Sequence, residues 1–172
     1  MEHYIRPARP DDLDAILGAI ESGRQYLKAQ GLPQWQDGEG PNQTVVASDL
    51  DAGHGYVLLS AGAVSGYLAL IPGPDGTPPL SEGTWDERFG RYAAVHRLAL
   101  GTNCRGRGLG GIFLRDAITA ARVLGYRDIR IDTHPGNTIM QRAIARAGFT
   151  CVGLMHLPIP HGERLAYQLL LD

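Results

Sequence analysis

Cysteine is scarce: Cys104 and Cys151 are the only two in 172 residues. Two thiols cannot build the multi-bridge framework of a small secreted domain. The opening residues, MEHYIRPARPDD, contain no apolar signal core. No apolar run approaches the ~20 residues needed to span a bilayer. Aromatic residues make up 7% of the chain, and the aromatic signatures of RNA-binding modules are missing. Neither sign of charge dominates, since 16 Lys and Arg face 18 Asp and Glu for a net charge of −2. That balance argues against a dedicated nucleic-acid or polybasic membrane binder. A cytoplasmic protein with no nucleic-acid or membrane partner is the expectation.

Several chemical signatures are absent too. His3, His54, His96, His134, His156 and His161 form no H-E-x-x-H and no paired His/Cys spacing, so no metal is expected. No G-x-S-x-G elbow exists, which removes the serine-hydrolase reading. No Lys-Ser or Lys-Thr follows a glycine-rich loop, so a nucleoside-triphosphate P-loop is excluded.

What is present is an ordinary globular composition, 44% hydrophobic and 20% charged. The length suits one domain over residues 1–172, and 23 glycines and 11 prolines mark the loops. Residues 3–6 read as a strand. Asp11 is the expected N-cap of a helix on which Leu13, Ile16, Leu17 and Ile20 share a face. Residues 25–43 are irregular and hold Gln34, Trp35 and Gln36. Residues 44–51 read as a short helix. Residues 56–60 and 64–71 read as a hairpin with a tight turn at Ala61–Gly62–Ala63. Residues 72–91 form a long loop anchored by Trp85 and Phe89.

Residues 92–124 organise the rest. A strand over 95–100 enters a loop carrying Arg105, Gly106, Arg107, Gly108, Gly110 and Gly111. A helix follows at once, with Leu109, Phe113, Ala117, Ala120 and Leu124 on one stripe and Gly125 as its stop. Glycines let the backbone approach a ligand. The free N–H groups and dipole of a helix start favour an anion, and arginines can add charge-assisted bonds. That order reads as a phosphate site, with a plain surface turn before a packing helix as the alternative. Gly106, Gly108 and Gly111 also fit G-x-G-x-x-G, and Asp132 ends the next strand, so a dinucleotide-dependent oxidoreductase stays open. Beyond it come a strand at 128–133, a helix at 137–147 stopped by Gly148, and two strands at 149–157 and 164–171.

The hexapeptide Arg105-Gly106-Arg107-Gly108-Leu109-Gly110 resembles the [QR]-x-x-G-x-[GA] signature of the GCN5-related N-acetyltransferase (GNAT) family. Asn137 and the pair Gly148-Phe149 resemble that family's N-x-x-A…G-F segment. The resemblance implies an α/β fold: a mixed, mostly antiparallel sheet of about seven strands, helices on both faces, and a splay between the strands at 95–100 and 128–133. It implies acetyl-CoA as co-substrate. Leu98, Ala99 and Leu100 would pair with the pantetheine arm, residues 105–111 would hold the pyrophosphate, and Asn137 and Met140 would line the arm. Gln34, Trp35 and Gln36 would wall the acceptor pocket, with core packing the alternative for Trp35. The acceptor would be a small-molecule or peptide amine. A homodimer is a fold-level analogy.

An alkylamine, with a pKa near ~10, is charged at neutral pH and needs a base. The resemblance offers His96, two residues before Leu98, and Asp132, five before Asn137. The structural alternatives are a hydrogen-bonded core histidine and an aspartate paired with an arginine such as Arg130. His134 shares the parity of Asp132 along its strand. The family's general-acid Tyr is here Ile144, which leaves Tyr167 or water to protonate the leaving thiol. A non-catalytic acyl-CoA sensor on the same fold is the other alternative.

Overall fold

Strands that are apolar on both faces need cover on both, and that requirement shapes the molecule. The computed structural model describes residues 2–172. Eight strands, β1 (His3–Pro7), β2 (Gly55–Ser60), β3 (Ala63–Pro72), β4 (Glu82–Gly83), β5 (Tyr92–Leu100), β6 (Asp128–Thr133), β7 (Thr150–His156) and β8 (Glu163–Leu170), form one sheet in the order β1-β2-β3-β5-β6-β8-β7-β4. Four helices cover it: α1 (Leu13–Ala29), α2 (Gln43–Asp51), α3 (Leu109–Val123) and α4 (Thr138–Arg146). On one face Leu58, Leu68, Leu70, Val95, Ile129 and Ile131 pack against Phe113, Leu114 and Ala117 of α3 and Ile144 of α4. On the other, Val57, Leu59, Tyr67, Ala69 and Ala99 pack against Ile16 and Ile20 of α1 and Val46 of α2. No helix among the described residues is long and apolar enough to cross a membrane.

Most elements follow the sequence pattern. The β2–β3 turn has Ala61 and Gly62 at φ 52° and 80°, the left-handed pair that a two-residue hairpin needs. Asn42 caps α2 by accepting from the Val45 N–H at 3.0 Å. Four details differ. The sheet gains an eighth strand, because Glu82–Gly83 of the long loop pairs with Leu154 and Gly153 of β7. Helix α1 runs on to Ala29, since Leu27 is also buried. Its N-terminal carboxylate is Asp12 rather than Asp11; Asp12 accepts from the Arg9 N–H and from Arg6. The buried stripe of α3 runs through Leu114 and Ala121, leaving Leu124 exposed at the helix end.

β5 and β6 are the parallel pair in an otherwise antiparallel sheet, and they pair from Tyr92↔Asp128 only as far as Val95↔Ile131. Beyond that point β5 keeps β3 as its neighbour but has no strand partner on the other side among the described residues. A bulge accompanies the parting. Tyr67 faces Ala99 and Ala69 faces His96, so β5 carries one extra residue there. Arg97 sits in the bulge at φ 58°, a left-handed conformation that costs a side-chain-bearing residue about 1–3 kcal/mol. Its guanidinium donates to both carboxylate oxygens of Asp49, at 2.8 and 2.6 Å, and the Tyr67 hydroxyl donates to the same carboxylate at 2.7 Å. Asp49 and Tyr67 are buried. Burial and the Asp49 carboxylate push the Tyr67 hydroxyl far above its usual pKa, so it stays a donor.

Asp49→Ala strands Arg97 and the Tyr67 hydroxyl together. It should lower unfolding free energy by about 3 kcal/mol in urea titrations at neutral pH, and Asp49→Asn, which keeps one acceptor, should lose clearly less.

Candidate active site

The parting of β5 and β6 opens a cleft of about 810 Å³. His96 and Asp132, the first residues past the last paired couple, both line it at the fork. Leu98, Ala99 and Leu100 line one wall with a strand edge that has no strand neighbour. Such an edge is a ready template for an extended, amide-bearing arm. Across the cleft, the Thr133 Oγ1 is buried without a hydrogen-bond partner although the residue lines the cavity.

The glycine loop lies at the far end. Gly106 and Gly108 have φ of 71° and 74°, and Gly108 caps α3. The backbone N–H groups of Gly106, Gly108, Leu109, Gly110 and Gly111 meet no backbone acceptor among the described residues, which is the unsatisfied array that anions occupy at a helix start. Gly106, Gly108, Gly110 and Gly111 line the cleft beside Met140 and Asn137. Leu109 reaches the cleft but is also a core residue, 2% exposed.

Of the two loop arginines, Arg105 lines the cleft but spends its Nη2 on protein acceptors, and Arg107 lies outside the lining. Arg105 donates through Nη2 to the Ser22 carbonyl, to the Ser22 hydroxyl at 2.6 Å and to the Leu100 carbonyl at 3.2 Å, and it stacks over Tyr26. It ties the loop to α1. Arg107 donates to the Asn103 carbonyl at 3.2 Å and does not line the cleft. Arg115, Arg142 and Arg146 also line the cleft, and their guanidinium groups make no hydrogen bond or ion pair among the described residues. Sequence reasoning missed them. The i, i+4 spacing of Arg142 and Arg146 on α4 was the available signal.

At the fork, His96 Nε2 lies 2.6 Å from Asp75 Oδ2, and the Asp75 side chain is 2% exposed. Asp75 comes from the long loop after β3 and also accepts from Thr77 and Tyr92, at 2.6 and 2.9 Å. Burial alone would raise its pKa; the hydrogen bonds from His96, Thr77 and Tyr92 outweigh burial and hold it well below the usual range. With Asp75 ionised, Nε2 carries the hydrogen and Nδ1 is the nitrogen left to accept a proton. Asp132 is not paired with Arg130, which binds Asp128 at 2.7 Å. Its cationic neighbour is Arg164, 3.6 Å away. Burial pushes the Asp132 carboxyl above its ordinary pKa, against the opposing charges of His96 and Arg164. His134 accepts from the Gly136 N–H and lies outside the cleft. Ile144 is fully buried, and Tyr167 is in the core rather than in the cleft, so neither can protonate a leaving group there.

The cover comes from the segment between α1 and α2. Trp35, at φ 63°, lines the cleft and also packs on the α1 face of the core. Gly23 makes room for it, since a Cβ there would sit 3.2 Å from the indole. Gln34 lines the cleft and accepts from Asn137 Nδ2 at 3.3 Å, while Asn137 Oδ1 caps α4 through the Met140 N–H. Gln36 faces away. Its amide donates to the Arg24 and Gln34 carbonyls, so it braces the loop instead of walling a pocket.

The acetyltransferase (GNAT) family model matches residues 20–149. The chain belongs to the GNAT family of acetyltransferases. It is 24% identical over 151 residues to an uncharacterized N-acetyltransferase, YesJ, of Bacillus subtilis, covering 87% of this chain and 83% of that protein. A GNAT acetyltransferase from Streptococcus agalactiae shares the fold with a TM-score of 0.89 and 33% identity over 99% of this chain and 96% of that one. The structure of yncA from Salmonella typhimurium, solved with its cofactor acetyl-CoA, is similar at a TM-score of 0.69 and 19% identity, covering 100% and 95% of the two chains. The dinucleotide reading falls with the sheet. It needs a doubly wound parallel sheet, whereas this GNAT sheet has a single parallel pair. The residues present fit acetyl-CoA: an open strand edge, an orphan hydroxyl, an unsatisfied helix start and three unpaired arginines share one cleft.

A Cβ on Gly108 would meet no protein atom within 4 Å. Gly108→Val should therefore cost only the ~1–2 kcal/mol of a left-handed backbone, yet weaken acetyl-CoA binding at least ~10-fold by occupying the anion's place. Calorimetric titration well below the melting temperature separates the two effects. Unchanged affinity in the folded variant would remove this loop from the cofactor site.

Proposed function

We propose that the protein transfers an acetyl group from acetyl-CoA to a primary amine, with Asp132 and His96 removing the amine's proton. The observation that carries this is the fork itself: both groups stand where the free strand edge begins. Acetyl-CoA supplies an activated acyl thioester. The helix start at residues 106–111 holds its pyrophosphate, and Arg115, Arg142 and Arg146 hold its phosphorylated end. The edge at residues 98–100 aligns the pantetheine arm, with Met140 and the Thr133 hydroxyl opposite.

The Asp132 carboxylate has no hydrogen-bond partner among the described residues, so it is free to take an ammonium proton. Burial makes it a stronger base than an exposed aspartate. A raised pKa means that it works only once deprotonated, so turnover falls as pH drops through that value. His96, held through Nε2 by Asp75, lines the same cleft. The CoA thiol, with a pKa near ~8.5 if it resembles that of cysteine, leaves as thiolate and is protonated by water.

Asp132→Asn and His96→Ala should each lower kcat by ~10²-fold or more at neutral pH, and by less at high pH where the amine deprotonates itself. Near-normal kcat in both across the range would leave positioning as the whole of catalysis. Thiol release that requires an amine separates this reading from a non-catalytic acyl-CoA sensor, which would bind acetyl-CoA and release nothing.

The arginine assignment has its own check. Replacing Arg142 and Arg146 together with Ala should raise the KM for acetyl-CoA by ~10-fold or more while barely changing that for dephospho-CoA thioester. Equal effects on the two donors would place these arginines elsewhere.

A further inference from the structure

Arg164 is the cleft residue that acetyl transfer leaves unexplained. It stands near the start of β8 with a side chain only 5% exposed, yet it lines the cleft. Its Nη1 donates to the carbonyls of His161 and Glu163, at 3.0 and 2.7 Å. Its Nε lies 3.6 Å from Asp132 Oδ1, beyond ordinary hydrogen-bond reach. Nη2 has no partner among the described residues, and neither Nε nor Nη2 is among the atoms sealed from solvent. A guanidinium this buried, with donors facing open space, lacks an acceptor. Burial pulls its pKa down, with Asp132 as the one opposing charge, and burial pushes Asp132 up. Neither charge is fully compensated by the other.

The neighbouring arginines are already tied to protein acceptors: Arg97 is held by both oxygens of a buried carboxylate, Asp49, and Arg105 ties its Nη2 to Ser22 and the Leu100 carbonyl. Arg164 therefore has donors to spare for a ligand at this end of the cleft. We infer that Arg164 holds a carboxylate of the acceptor, and that the acceptor is an α-amino acid with an apolar side chain. This rests on the acetyltransferase reading above. One carbon separates amine from carboxylate in such a molecule, which suits two side chains whose charged atoms lie 3.6 Å apart. The amine meets Asp132, the carboxylate meets Arg164, and one long ion pair becomes two short ones. Leu157 and Ile159, on the turn that leads into β8, line the same cleft and suit an apolar side chain. Glu39, on the cover, has no cationic partner among the described residues and disfavours a second negative charge.

The test is a thiol-release assay with acetyl-CoA and matched acceptors: leucine, methionine and phenylalanine, their amides, and their decarboxylated amines. The best amino acid should exceed its amide and its amine in kcat/KM by ~10²-fold or more, because a buried donor left unpaired penalises the analogue. Arg164→Gln should collapse that preference at least ~10-fold, chiefly through the KM of the amino acid, and Arg164→Lys should keep part of it. Acetyl-CoA titration of each variant reports that the fold and the donor half are intact. Amines turned over as well as or better than amino acids would overturn the inference alone, as would an Arg164→Gln that slows every acceptor equally. Acetyl-CoA binding without release from any acceptor would overturn the transfer reading and this inference with it.

Discussion

The interruption of one strand pairing governs this molecule. β5 and β6 are hydrogen-bonded up to Val95 and Ile131 and then separate. Everything assigned to chemistry borders the gap: a strand edge, two candidate bases, a glycine-capped helix start and an aromatic cover. Backbone groups left without a sheet partner cost free energy unless water or a ligand satisfies them. The gap is tolerable because the bulge at Arg97 is held from the α2 side by Asp49 and Tyr67. The stability of that buried network therefore sustains an opening on the other side of the strand.

Much of this was readable from residue order. Glycines at 106, 108, 110 and 111 before an apolar helical stripe marked the loop that lines the cleft, and hydrophobic periodicity located the helices and strands around it. What could not be read was the direction of long side chains. Arg105 carries the charge that a phosphate site invites, yet a hydroxyl and two carbonyls claim it. Arg142 and Arg146 look like an ordinary solvated helix face until α4 is packed beside the gap. Gln34 and Gln36 are chemically identical neighbours of Trp35, and only the folded loop sends one inward and the other back to α1.

Asp75 was the least visible of the residues near the chemistry. It lies in a Gly- and Pro-rich loop, 21 positions from His96, with no periodicity to tie it to the strand. Its arrival depends on pairings that sequence spacing does not encode: Trp85 on Arg130, Asp86 with Gln168, and β4 against β7. The loop is long because it runs from β3 to the far edge of the sheet, where β4 pairs with β7, and returns to β5.

The clamp on Arg130 has a mechanical meaning. Its guanidinium lies between the rings of Trp85 and Tyr92, 4.4 and 3.8 Å from their centres. Tyr92 is the first residue of β5, and Arg130 lies two positions before Asp132 on β6. The clamp is thus a staple just below the fork, and it also grips the loop that carries Asp75. The two strands are joined below the fork and parted above it, like a clothes peg pinned at its spring. The residues that line the open part of the gap are therefore a different set from those that hold Asp75 and the root of the Asp132 strand. Cleft width and proton handling are then properties that separate sets of substitutions can alter.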